Sequence, residues 1–128
     1  MSKKLNHRAL FVLTALLLIA AAALACSKTE PQARSFELEI AQGKLNLNPA
    51  VIKVNQDDQV TLKIRTDEAG LFHLHGYDLE VEIKPGQSAE MAFTANATGK
   101  FDIELHPERM EGMGGEGIML GSLEVQPR

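Results

Sequence analysis

A single cysteine, Cys26, serves the whole chain of 128 residues, so no intramolecular disulfide can brace the fold. Core packing must hold it together, which a chain of roughly a hundred residues can supply. Catalytic motifs are missing too. There is no G-x-S-x-G elbow, no H-E-x-x-H pair and no phosphate-cradling P-loop, and each of those chemistries needs its own spacing. The chain therefore reads as a non-enzyme. Basic residues are outnumbered, 13 Lys plus Arg against 17 Asp plus Glu. An acidic surface is repelled by phosphate backbones, which argues against nucleic acid as a partner. At this length there is room for one domain and not two.

The apolar residues are unevenly spread. Residues 9–25, ALFVLTALLLIAAAALA, carry no charge, and Lys3, Lys4 and Arg8 precede them. A basic stretch, an apolar run and small residues before a cut describe an export signal. The sequence A-L-A-C at 23–26 resembles the lipobox of bacterial lipoproteins, with Ala23 where that family prefers Leu. The resemblance implies cleavage before Cys26 and lipidation of its sulfur, which also disposes of an otherwise reactive lone thiol. Residues 1–25 are thus expected to be a lipoprotein signal peptide. Two or more acyl chains anchor a protein stably, so the partner implied is a membrane, at the cell envelope and outside the cytoplasm (the periplasmic side where an outer membrane exists). Cutting there leaves 103 residues with 10 Lys plus Arg, 17 Asp plus Glu and a net charge of about −7. Residues 26–35 are polar and aperiodic, and the nine after the cysteine make a flexible tether reaching roughly 15–18 Å.

From Phe36 to the end the pattern is alternation with a period of two, the mark of strands with one wet and one dry face. Phe36, Leu38 and Ile40 alternate with Glu37 and Glu39; Val60, Leu62 and Ile64 with Thr61, Lys63 and Arg65; Phe101, Ile103 and Leu105 with Asp102 and Glu104. Turn chemistry separates the runs at 42–43, 48–49, 55–58, 85–86 and 96–99. No stretch beyond residue 35 carries a helical stripe. Seven to eight such strands predict an all-β Greek-key sandwich over residues 36–128. At 69–77 the pattern assigns Phe72 and Leu74 to one face and His73, His75 and Tyr77 to the other, with a bulge or tight bend at Gly76. Residues 107–117 hold four glycines and read as a loop.

Histidine and methionine then stand out. His73 and His75 share a strand face, roughly 6.6 Å apart along the backbone. His106 ends the 101–105 strand, and Met110, Met113 and Met119 follow. Imidazole nitrogen and thioether sulfur together suit copper, sulfur favouring Cu(I).

The motifs in order are P-x-x-I-x-V at 49–54, V-T-L-K-I at 60–64, H-G-Y at 75–77, G-K-F-D-I-E-L-H at 99–106 and M-L-G-S-L-E-V at 119–125. Together they resemble a cupredoxin, closest to the EfeO-type cupredoxin-like domains of exported bacterial proteins. The resemblance implies that His75 and Met119 match ligand positions. It aligns the family's cysteine with Leu105 and its downstream histidine with the neighbourhood of Glu108. A blue-copper centre needs a thiolate with two histidines, so this chain cannot form one. What remains is a thiolate-free site of His75, His106 and Met119, with His73, Met110 and Met113 as further candidate ligands. His106 shares parity with the wet-face Asp102 and Glu104, so the chain must turn sharply at Pro107 for it to point inward.

The function expected is membrane-tethered copper binding, for buffering or for delivery to a metal-transport or redox partner of the envelope. Two alternatives stand beside it. One is a metal-free cupredoxin-like interaction module. The other is an iron-uptake accessory drawing on the oxygen donors Asp78, Glu104, Glu108 and Glu111.

Overall fold

The computed structural model describes residues 30–108 and 117–128. Nine strands run β1 (Ala33–Ala41), β2 (Lys44–Leu45), β3 (Val51–Asn55), β4 (Gln59–Thr66), β5 (Gly70–Leu74), β6 (Leu79–Ile83), β7 (Ser88–Thr94), β8 (Gly99–Pro107) and β9 (Ile118–Gln126). They form two sheets, one in the order β2-β1-β4-β7 and the other β3-β9-β8-β5-β6. β1 pairs with β4 and β3 with β9 in parallel; the other pairings are antiparallel. There is no α-helix among the described residues, and none of their segments is a helix long and apolar enough to cross a membrane. The apolar run 9–25, Cys26, and Met110 and Met113 of the 107–117 loop lie outside the described residues.

Alternation dictates the core. Val60, Leu62 and Ile64 of β4 are buried, as are Phe72 and Leu74 of β5 and Ile103 and Leu105 of β8. Their faces meet between the sheets together with Leu38, Ile40, Ile52, Val54, Leu123 and Val125. The remaining residues of β5 and β8 must then project from the outer face of the five-stranded sheet.

Three expectations need correction. The first strand starts at Ala33, inside the stretch read as tether. Backbone pairing explains it: Ala33, Arg34 and Ser35 lie in register with Gln59, Val60 and Thr61, and a ladder needs no apolar side chains. The fully buried Asp58 fastens the same segment, accepting hydrogen bonds from Gln32 N (2.8 Å) and Asn55 N (2.9 Å). Arg34 lies 3.6 Å from its carboxylate and Arg128 pairs with it directly. Burial pushes the Asp58 carboxyl up, but the two backbone donors with Arg128 and Arg34 outweigh burial and hold it below its ordinary value.

Second, Tyr77 does not share the histidines' face. β5 stops at Leu74, and residues 75–78 make the connection to β6, with Gly76 at φ +76° and Asp78 at φ +58°. A Cβ on Gly76 would lie 2.6 Å from Phe101 Cδ1, so the tight bend requires glycine both for its dihedral and for its space. Beyond the bend Tyr77 packs against Phe93 and Phe101, ring centroids 5.1 and 4.8 Å away. Its hydroxyl donates to Ala97 O and accepts from Ala97 N.

Third, there is no turn at Pro107 to bring His106 inward. β8 extends to Pro107, its last residue, with Pro107 in register with Gly70 and His106 with Leu71. His106 keeps the outward parity of Glu104.

Candidate metal centre

β5 and β8 are antiparallel neighbours, and their register is what gathers the site. His73 stands directly opposite Glu104, and His106 lies two residues further along β8. His75 follows the end of β5, where its backbone N–H still donates to Asp102 O at 2.9 Å. The same alternation that buries Phe72, Leu74, Ile103 and Leu105 thus projects His73, His75, Glu104 and His106 from one patch of the outer face.

The three imidazoles crowd together. The His73 ring centroid is 3.9 Å from that of His75 and 5.8 Å from that of His106. One nitrogen from each lies within 4.8 Å of the other two, and among the described residues this is the one such group. Glu104 Oε2 completes the cluster at 3.1 Å from His75 Nε2 and 3.5 Å from His106 Nε2. Glu80 stands aside, 3.9 Å from His73 Nδ1 and half exposed.

His75 Nε2 is sealed from solvent and makes no hydrogen bond, although Glu104 Oε2 is only 3.1 Å away. The two atoms are close without being in hydrogen-bonding geometry. A buried polar nitrogen left without a partner is costly, and neutral imidazole nitrogen is a standard donor to copper, zinc and iron. On that ground the residues fit a metal ion.

The backbone roofs this patch. A Cβ on Gly117 would fall 2.7 Å from Glu104 Oε2 and 2.8 Å from His106 Cε1, so the absence of a side chain there lets the chain entering β9 pass against the cluster. Met119 stands opposite Glu104 in the β8–β9 register and is 55% exposed. A register shift between Ile103 and Glu104 gives β9 one extra residue, Leu120, in this ladder, so Met119 faces outward while Leu120 is buried. Leu105, at the position aligned with a cysteine, is fully buried on the opposite face from the histidines.

Of the sequence-predicted ligands the structure brings together His73, His75 and His106, and Met119 lies on the same outer face across from Glu104. The sequence pattern marks His73 only as a further candidate ligand and Glu104 only as an oxygen donor for iron. The direct register of His73 with Glu104 across β5 and β8 makes both of them central. That register joins residues 31 positions apart, and a period-two pattern cannot report it. Gly117 was not singled out at all; a glycine in a glycine-rich run gives no sequence signal of close approach.

Residues 13–114 match the family model described as a cupredoxin-like domain. Among solved structures, a chain of a heme-copper terminal oxidase dimer is 19% identical, with 93% of this chain and 94% of that one covered and a TM-score of 0.57. A blue copper oxidase from Nitrosomonas europaea is 22% identical, with 75% and 39% covered and a TM-score of 0.56. A copper binding protein in its apo form, solved by NMR, is 13% identical, with 77% and 93% covered and a TM-score of 0.56. At these identities the likeness is one of fold. The chain spans well under half the length of the blue copper oxidase it matches. No curated protein matches it significantly.

Proposed function

The chain belongs to the cupredoxin-like domain family, and on that premise we propose that it is a membrane-tethered, extracytoplasmic protein that binds copper for buffering or delivery. The observation that carries the reading is the convergence of three imidazoles with the nitrogen of His75 buried and unpartnered. His73, His75 and His106 would hold the ion, with Met119, Met110 and Met113 as candidate sulfur donors. Bound copper would supply one-electron chemistry and a Lewis-acid centre. The chain's own contribution is retention and release, and it is not catalytic in this reading.

Exposure supports exchange rather than sequestration. The side chains of His75 and His106 are 42% and 39% exposed, so the rings border solvent although His75 Nε2 itself is covered. With Leu105 in the core where a thiolate would be needed, thiolate-mediated electron transfer of the blue-copper kind is not open to this chain. Anchoring through a lipidated Cys26 at the envelope membrane would keep such a carrier beside a metal-transport or redox partner.

Glu104 favours a second reading. A carboxylate oxygen beside two imidazoles is a donor set that iron also accepts, and the EfeO-type likeness points the same way. The test is an equilibrium titration of the full-length chain in detergent with Cu(I), Cu(II) and Fe(III), beside a His75→Ala/His106→Ala variant. The copper reading expects one tight copper equivalent that the variant loses. Preferential uptake of Fe(III) would replace it with the iron reading. No uptake of any of the three would leave a metal-free interaction module.

A further inference from the structure

We propose that Glu104 is a fourth donor of this centre and makes it select Cu(II) over Cu(I). The inference rests on the copper reading and goes beyond it in assigning the preferred oxidation state.

Glu104 occupies the middle of the cluster. Its residue faces His73 across β5–β8 and Met119 across β8–β9, and its Oε2 approaches two different imidazole nitrogens at 3.1 and 3.5 Å. An orienting role, with the carboxylate accepting the His75 Nε2–H, would require a linear hydrogen bond. His75 Nε2 makes none. Two electron-pair donors that lie side by side at this distance are related as neighbours around one ion, because ligands bound at about 2.0–2.2 Å stand roughly 3 Å apart. The chain at Gly117 passes close to the carboxylate, since even a methyl group there would crowd Oε2 at 2.7 Å. Glu80 offers the contrast: it is 52% exposed and 3.9 Å from His73 Nδ1, the arrangement of a solvated surface pair that contributes little.

Charge and hardness then decide between oxidation states. Three neutral imidazoles bring no charge, and Glu104 brings one negative charge. At equal distance that charge attracts a dication twice as strongly as a monocation. Carboxylate oxygen is a hard donor, suited to Cu(II) and poorly matched to Cu(I), for which thioether is the natural partner. Met119 is the one sulfur on this face among the described residues, and it is largely exposed, whereas the Glu104 side chain is 22% exposed and already in contact with two of the histidines. Oxygen therefore outweighs sulfur in the set the fold presents.

The test uses the full-length chain in detergent, titrated separately with Cu(II) and with Cu(I) under anaerobic reduction, as wild type, Glu104→Gln and Glu80→Gln. Glu104→Gln keeps the side chain's size and removes its charge. The expected result is a loss of Cu(II) affinity of roughly 10–100-fold, the range seen when groups supporting a metal site are removed. Cu(I) affinity is expected to change by less than about threefold, and the Cu(II) electron paramagnetic resonance spectrum to shift. Glu80→Gln should behave as wild type. Equal loss for both oxidation states, or wild-type Cu(II) affinity and an unchanged spectrum in Glu104→Gln, would overturn the inference and leave the copper reading standing. Failure of the wild-type chain to bind copper at all would overturn both. Thermal melts of the apo proteins separate a binding defect from misfolding.

Discussion

Replacing Asp58 by Asn tests how the two ends of the domain are held. The carboxylate is fully buried and takes backbone N–H groups from Gln32 and Asn55 at 2.8 and 2.9 Å. Arg128, whose side chain is 11% exposed, pairs with it and also donates to the carbonyls of Gln56 and Glu30. Arg34 is 43% exposed, so water replaces most of what it loses and its share is at most about 1 kcal/mol. An amide keeps one acceptor oxygen. It turns an NH₂ group toward the remaining donors, leaving one backbone N–H unsatisfied at about 1–3 kcal/mol and the Arg128 charge without its partner. Breaking a buried pair costs about 3–5 kcal/mol, and the partial exposure of the arginines brings the expectation to about 3 kcal/mol. For a domain of this size that lowers Tm by roughly 12–24 °C, at about 4–8 °C per kcal/mol. The pH dependence has a definite sign. Because the folded carboxyl lies below its ordinary value, its stabilisation is complete above the unfolded value of about 3.9 and is lost as pH falls through the lower folded value. Wild type should therefore lose stability more steeply than Asp58→Asn below about pH 4. Thermal unfolding followed by circular dichroism across that range measures both effects. A Tm within about 4 °C of wild type, equivalent to under 1 kcal/mol, or parallel acid profiles, would refute the assignment of Asp58 as the clasp between residues 30–34 and the C-terminal Arg128.

Two further substitutions probe where the site lies. Leu105→Cys puts a thiol at the position aligned with the cupredoxin cysteine, but Leu105 faces the core and the histidines face outward. The variant should therefore show no intense thiolate-to-copper absorption with Cu(II) and should lose about 1–3 kcal/mol through the smaller buried side chain; a blue chromophore would contradict the outer-face site. Gly117→Ala should weaken copper binding roughly tenfold by displacing Glu104 and His106. Its Tm should stay within a few degrees of wild type, because the crowded atoms are the ends of partly exposed side chains; unchanged affinity in a copper titration would show that they yield without cost.

Much of this architecture could be read before folding because it is written locally. Val60, Leu62 and Ile64, or Ile103 and Leu105, declare a buried strand face by spacing alone, and His73 and His75 declare a shared face in the same way. What stayed hidden depends on partners distant in sequence. Nothing in Ala33, Arg34 and Ser35 announces a strand; the edge of β4 supplies it. Tyr77 continues the histidine parity on paper, yet the bend at Gly76 sends it to Phe93 and Phe101. A sharp turn at Pro107 would be required only if His106 had to point between the sheets. The antiparallel register of β5 with β8 makes that turn unnecessary, since His106 meets His73 and His75 where its own parity sends it.

The location of bound metal is the central claim, and an anomalous difference map at the copper absorption edge, from crystals of the copper-loaded protein, tests it most directly. One peak bounded by His73, His75 and His106 on the outer face of the five-stranded sheet, with Glu104 beside it, is the predicted result. A peak between the two sheets, or density only at scattered surface carboxylates, would contradict the account.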